Sequence, residues 1–328
     1  MPNNPLISII IPIYNVEKHI VKCATTLFEQ DFDSIEYIFV NDCSPDNSMQ
    51  ILQSVIEKYP NRKDNIKIIN NEKNNGIAFT RKFGLDNANG EYILFIDSDD
   101  WTQLDMVSSL YKKAKEDDAD VVVCDYYYAL KNKNIHISYK LPNTKFEIMN
   151  SFAYKANYMN YFWNKLVKKD LYKIEYFLPI RITMTEDLFT MFKLFFDAKK
   201  ISQINKPLYY YNQTNTSSIM KNYKLSYVED KIFVTNSIIE FLKKNNAEKE
   251  YANLINFYKL YIKMPLIIYP NIRDKKLWQE IYPEANKYVW KVPLKFRSKI
   301  LVLLCKINLF KFAYFLADLK RQYNKFFS

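Results

Sequence analysis

The stretch EYILFIDSDDW, Glu91 to Trp101, sets an apolar and aromatic run, Tyr92 to Ile96, directly against Asp97, Asp99 and Asp100, with only Ser98 among them. The first half reads as a strand fit for a core. The second half is electrostatically unfavourable, because two unit charges about 4 Å apart repel by roughly 4 kcal/mol at an effective dielectric near 20. Water, a helix N-terminus or a bound cation could offset that repulsion. One aspartate can cap the helix read in TQLDMVSSLYKKAKEDD, but three do not all need to.

Outward from that stretch, the first 125 residues alternate apolar runs with amphipathic ones. ISIII, IEYIFV, IKII, YILFI and DVVVCDY read as strands. VEKHIVKCATTLFEQ, NSMQILQSVIEKY, IAFTRKFGLDNA and the segment from Thr102 to Asp117 read as helices between them. Strands separated by helices of roughly 10–15 residues predict an α/β fold, a mostly parallel sheet with helices on both faces. Ligands of such sheets sit at the carboxyl ends of strands. Tyr14-Asn15, Asn41-Asp42 and Asp97–Asp100 fall there. The chain has 3 glycines, Gly76, Gly84 and Gly90, and so few are expected where backbone approaches something closely or takes positive φ. No GxGxxG and no P-loop is present, so dinucleotide and Walker-type phosphate binding are not supported.

With 328 residues, 16% aromatic and 25% charged, the chain is long enough for a large core and has the composition of a folded protein. Cys23, Cys43, Cys124 and Cys305 show no paired spacing and read as buried thiols in a reducing compartment. His19 and His136 lie far apart, against a histidine triad or a zinc hydrolase. MPNNPLISIIIPIYN lacks a basic start and is broken by Pro12, so it reads as a core strand and not a secretory signal, and the expected location is the cytoplasm. Residues 126–220 are less regular, and helical patterns dominate from Lys221. Residues 221–328 hold 21 Lys and Arg against 9 Asp and Glu, whereas residues 1–220 hold 26 against 27. The net charge of +11 therefore belongs to the C-terminal third, and so does whatever it attracts.

ISIIIPIYNVEKHI, EYIFVNDCSPDNS, NNGIAFTRKFGLDNANGEYILFIDSDDW and TEDLF resemble, in order and spacing, the successive motifs of family 2 inverting glycosyltransferases with a GT-A fold. FWNKL and YYYNQTNTSS resemble its less strict blocks. The resemblance covers roughly residues 6–190. It implies a Rossmann-like GT-A catalytic domain over 1–220, with a nucleotide-binding half to about 125 and an acceptor half after it, followed by a basic helical region over 221–328. The activity it implies is inverting transfer of a single sugar from a UDP-sugar to a hydroxyl of a glycan or lipid-linked acceptor. Heavy use of Lys, Asn, Ile and Tyr suggests an AT-rich bacterial source, which points to surface polysaccharide or lipooligosaccharide assembly.

By the same resemblance a divalent cation, Mn2+ or Mg2+, is held by Asp99 with Asp97, which fits hard-oxygen chemistry beside a diphosphate. Asp100 is read as a metal-site neighbour or a cap for the next helix. Pro12, Tyr14, Asn15 and Glu17 are expected beside the nucleotide, Asp42 on the uracil, Arg81 on uracil or diphosphate, and Ser98 with Asp97 near the donor. Asn41 and Cys43 depart from the family pattern, which often has aspartate and glycine there. Asp187 matches the family's catalytic base, with Glu186 as its partner. The alternative is a helix start capped by Thr185. Trp163 and Lys165 are expected at the acceptor or diphosphate edge, or else as a packed ring and a surface ammonium.

From Lys287 to Ser328 there are 10 basic residues and one acid among many aromatics. The run from Ile300 to Leu319 approaches the length of a membrane span, but Lys306, Asn308 and Lys311 interrupt it. An interfacial helix on anionic lipid is the better expectation, each Lys or Arg near such a surface contributing about 1 kcal/mol. A cap on the catalytic domain is the other. No nucleic-acid partner is expected, since no fold for one accompanies the charge. The competing functions are a sugar nucleotidyltransferase, which would normally open with a glycine-rich loop where IPIYN stands, and a non-catalytic carbohydrate- or membrane-binding protein. The sequence shows neither a QxxRW motif nor a set of spans, against a processive synthase.

Overall fold

A computed structural model of the chain describes residues 5–154, 156–177, 182, 184–214 and 223–326. Two compact units emerge, residues 1–145 with 157–216, and residues 146–156 with 217–328. The first unit holds β1 (Ile7–Ile13), α1 (Ile20–Phe28), β2 (Ile35–Asn41), α2 (Ser48–Ile56), β3 (Ile66–Asn70), α3 (Ile77–Asp86), β4 (Tyr92–Phe95), β5 (Trp101–Thr102), α4 (Met106–Asp117), β6 (Val121–Ala129) and β7 (Asn134–Ile137). After α5 (Lys145–Tyr154), which belongs to the second unit but for its first residue, the first unit resumes through the short α6 (Ala156–Met159) to β8 (Lys165–Lys168), α7 (Glu186–Asp197) and β9 (Ile201–Asn212).

The sheet order is β3-β2-β1-β4-β8-β6-β9-β5, with β7 on β6. β3, β2, β1 and β4 are parallel, as the alternation of strands and helices predicts. Beyond β4 the sheet becomes mixed, because β8 runs antiparallel to both β4 and β6 while β9 runs parallel to β6. β1 is buried along its whole length. β4 stops pairing with it at Ile10–Phe95, whereas β2 continues to Ile13–Asn41. The chain turns opposite ways from β1 to reach β2 and β4, so a crevice opens at this switch point, where such sheets bind ligands. Pro12 sits in it, past the last β4 pairing, where a missing N–H is tolerated. Gly90 fits because its backbone presses on β1: a Cβ there would lie 2.5 Å from the Ser8 nitrogen.

Three local expectations change. The helix expected from Thr102 begins at Met106, because Trp101 and Thr102 pair with Tyr210 and Tyr209 of β9 as a short strand. Cys43, expected to be buried, is exposed, while Cys23, Cys124 and Cys305 are buried. The irregular middle holds the 12-residue β9, hidden from a periodicity reading by Pro207 and five polar residues.

The second unit contains α8 (Ser226–Lys244), α9 (Ala252–Lys263), α10 (Pro265–Ile268), α11 (Lys275–Glu280), α12 (Phe296–Lys306) and α13 (Phe310–Phe326). Its core gathers Val234, Ile238, Leu254, Leu260, Trp278 and Val302. The Lys263 ammonium lies 3.9 Å over the Trp278 ring, and Phe310 meets the same ring edge-on at 5.4 Å. The near-span run of Ile300–Leu319 is two helices, broken at Asn308, whose φ is +69°. No helix among the described residues is long and apolar enough to cross a membrane.

Candidate active site

Loops from the carboxyl ends of β1 and β2 are joined by hydrogen bonds. The Asn15 N–H donates to Ser44 Oγ at 2.8 Å, with Asn15 at φ +56°, and the Glu17 N–H donates to Asp46 Oδ2 at 2.9 Å. The Glu17 carboxylate accepts in return from the Asn47 backbone and side chain at 3.2 and 3.3 Å. Burial pushes the Asp46 carboxyl up, but bonds from Ser44, Ser48 and the Glu17 N–H outweigh it and hold it down at about 2. This bracing leaves Tyr14 48% exposed at the lip, with Pro12 buried beneath.

Asp42, at the end of β2, is buried. It accepts from Asn71 Nδ2 at 2.7 Å and from the Asn75 and Gly76 N–H groups at 2.9 Å each. Gly76, at φ +83°, is the left-handed residue that lets the chain wrap the carboxylate before entering α3. Asp42 thus fixes the loop into α3 whether or not it also meets a base. Five residues further along the chain, α3 carries Arg81 inward. The Arg81 guanidinium donates to Asp97 Oδ1 at 2.9 Å and to Glu186 Oε1 at 3.1 Å, and its buried Nε has no hydrogen-bond partner. Burial would lower its pKa; Asp97 and Glu186 more than offset that and leave it raised. Arg81, expected on uracil or diphosphate, bridges the end of β4 and the start of α7.

The aspartates after β4 divide three ways. Asp97 pairs with Arg81, and its N–H donates to Tyr209 Oη at 3.3 Å. Ser98 is buried in the turn, and Asp99 is partly exposed, its carbonyl accepting from Asn212 Nδ2 at 3.1 Å. Asp100 is fully enclosed, accepting from Tyr209 Oη at 2.6 Å and from the Asn212 N–H at 2.7 Å. Burial, then Asp99 and Asp97, push its carboxyl well up. Asp100 caps no helix; it ties the turn to β9. Tyr209 and Asn212 were not foreseen as site residues. Their signal is the YYYN that ends β9, whose tyrosines pair in register with Tyr126–Tyr128 of β6.

At the start of α7, Thr185 has φ +66° and its side chain makes no capping bond, so TED is not a capped helix start. Burial raises the Glu186 carboxyl against the pull of Arg81. Burial, then the neighbouring Glu186, push Asp187 up to about 7, although it accepts from the Leu188 N–H at 2.7 Å. A carboxylate titrating near neutrality has the basicity a proton acceptor needs. Trp163 and Lys165 are both interior. Trp163, 2% exposed, stacks on Tyr209 at 4.2 Å and on Tyr161 at 4.6 Å. Lys165 Nζ donates to the carbonyls of Tyr158 and Tyr161 and to Asn164 Oδ1. Burial lowers its pKa to about 7, and all three donors are engaged in holding the 158–164 turn.

Aspartates after β4, an arginine bridge and a raised carboxylate at the start of α7 thus lie in one unit, and residues 8–174 match the family described as Glycosyl transferase family 2. The chain belongs to that family. Glycosyltransferase GlyG of Streptococcus pneumoniae serotype 4 (strain ATCC BAA-334 / TIGR4) is 30% identical over 295 residues, 84% of this chain and 93% of GlyG. EpsH of Bacillus subtilis (strain 168) is 30% identical over 261 residues, 77% of this chain and 74% of EpsH. The crystal structure of S. aureus TarS 1-349 in complex with UDP-GlcNAc superposes with a TM-score of 0.69 at 22% identity, covering 96% of this chain and 91% of that one. The fold is GT-A and the protein is a glycosyltransferase. Of the less strict motif blocks, the tail of YYYNQTNTSS, residues 215–218, lies outside the described residues.

Proposed function

We propose that this glycosyltransferase moves one sugar from a UDP-sugar to a hydroxyl of a glycan or lipid-linked glycan acceptor, with inversion and with a divalent metal. The observation that carries this reading is the Arg81 bridge, which ties Asp97 of the aspartate turn to Glu186, the neighbour of Asp187. The structurally similar S. aureus TarS, in complex with UDP-GlcNAc, supports the donor class, and the mannosyltransferase PcManGT from Pyrobaculum calidifontis, in complex with GDP-Man and Mn2+ and similar at a TM-score of 0.51 and 15% identity, supports the metal.

The residues present fit such a metal. Asp99 is partly exposed at the turn and Asp97 keeps one oxygen beyond its Arg81 contact, and both offer the hard oxygens Mg2+ or Mn2+ takes. Among the described residues no group of three or more His, Cys, Asp or Glu forms a ready cage, which suits an ion completed by diphosphate and water. When bound, the metal supplies positive charge to the departing diphosphate. Asp187 takes the proton of the acceptor hydroxyl as its oxygen bonds to the anomeric carbon and the bond to the diphosphate breaks on the opposite face. One such displacement inverts the configuration. Glu186 holds Arg81, and Arg81 holds Asp97, so donor and acceptor sides are set by one buried guanidinium. A lipid-linked acceptor would be met at the inner face of the membrane.

The test is UDP release over a panel of UDP-sugars, with NMR of the product's anomeric centre. Turnover is expected with one donor or a small set, lost in EDTA, restored by Mn2+ or Mg2+, and reduced at least about 100-fold in Asp99→Ala. Undiminished turnover in EDTA, or retention of configuration, would overturn the proposal.

A further inference from the structure

The second unit carries a surface that sugar transfer does not use. In α13, Phe310, Ala313 and Ala317 are buried, at spacings i, i+3 and i+7 that share one helical face. Phe312, Phe315 and Leu319 repeat that spacing on the opposite face, exposed by 50%, 56% and 46%. The rings of Phe312 and Phe315 stack at 6.4 Å. The helix is therefore apolar on two sides, and the core of its unit covers one. The turn before it adds Ile307, 64% exposed, and Leu309. At the start of α12, the exposed rings of Trp290 and Phe296 stand 6.3 Å apart. Isolated exposed apolar residues are ordinary, but successive ones along one face mark a contact surface.

Charge selects the occupant. Residues 287–321 contain 9 Lys and Arg and one acid, Asp318, and Asp318 is already paired with Arg273 at 2.8 and 3.0 Å. A second copy of the same face would set like charges against each other. A layer with an acidic surface and an apolar interior complements both features, since aromatic side chains enter the headgroup–acyl boundary while lysine stems reach back to the phosphates. With Asn308 breaking the run and no spanning helix among the described residues, the depth of entry is interfacial.

We propose that the outer face of the α12–α13 hairpin, centred on Phe312, Phe315 and Leu319, lies on anionic phospholipid in the plane of the interface. This goes beyond the transfer reading and does not depend on it.

Flotation of the full chain with vesicles of phosphatidylcholine, alone or with about one-third phosphatidylglycerol, at roughly 0.05 and 0.5 M salt, tests it. Binding to the anionic vesicles is expected to be at least about tenfold tighter than to the neutral ones, weakened but not abolished by salt. Phe312→Ser with Phe315→Ser should lose at least about tenfold at both salt concentrations, with unchanged UDP release and thermal unfolding. Lys311→Gln with Lys320→Gln should lose only the salt-sensitive part. Absence of binding by the folded chain would overturn the proposal. So would equal binding by the phenylalanine variant, or a concentration-dependent dimer that the same variant dissolves, which would give the face to a second copy.

Discussion

At the end of β4 three carboxylates go to three kinds of partner: Asp97 to a guanidinium, Asp100 to a buried hydroxyl and a backbone N–H, and Asp99 to the partly exposed turn. At the start of α7, of the two adjacent carboxylates Glu186 and Asp187, it is Glu186 that pairs with the Arg81 guanidinium. The same chemical group therefore ends in different states. Both carboxyls are raised, but Asp100 is enclosed as a brace, while Asp187, with one backbone donor among the described residues and a like charge beside it, is pushed up to about 7 and stays partly exposed. A raised carboxyl can act as a base only where an acceptor can reach it, and of the two only Asp187 is partly exposed.

The largest break in that contrast is Asp187→Asn. It should lower kcat by about 100- to 10,000-fold, with UDP affinity by calorimetry nearly unchanged. In the wild type, kcat/KM should rise with pH through about 7 as Asp187 ionises, and the variant should lose that limb. A carboxyl with a raised pKa keeps its proton in the fold after the unfolded chain has lost it. Wild-type stability therefore falls between about 4 and about 7, and denaturant titration of the asparagine variant should show that slope reduced.

Asp100→Ala comes next and should act on stability, leaving the Tyr209 O–H and the Asn212 N–H without the acceptor they share in the interior. A loss of about 1–3 kcal/mol by denaturant unfolding is expected. Glu186→Gln sharpens the comparison from the other side. With the adjacent negative charge removed, the Asp187 pKa falls and the acid limb of kcat/KM moves to lower pH, whereas a Glu186 that was itself the base would take the limb away altogether. The smallest effect is expected at Cys43, whose φ is +57°. Cys43→Gly relieves a left-handed residue with a side chain and should add about 1 kcal/mol or slightly less to stability.

Much of the parallel half of the sheet could be read from the chain because ISIII, IEYIFV and YILFI are short apolar runs whose neighbours pair locally through intervening helices. The antiparallel half could not. β8 is four residues, KLVK, and its register with β4 joins Tyr92 to Lys168, a pairing no local pattern encodes. The acids of the site were legible as types and places, since charge after an apolar run is conspicuous. Their partners were not: nothing near Arg81 in sequence announces Glu186, 105 positions away, and nothing near Asp100 announces Tyr209. Trp163 is the packed ring that stood as its alternative reading and Lys165 is enclosed rather than at the surface; an indole and an ammonium look alike at a rim and in an interior until the stack on Tyr209 and the carbonyls of Tyr158 and Tyr161 are known.

The clasp of Asn212 on the aspartate turn has a consequence for how the enzyme is made. The two residues it joins are 112 positions apart, so a ribosome delivers the turn long before it delivers the brace. During that interval the nascent chain carries its motif without the geometry, and closure of so distant a contact is slow. Messages truncated ahead of β9 would yield fragments that display the whole aspartate turn but leave Asp100 without Tyr209 and Asn212.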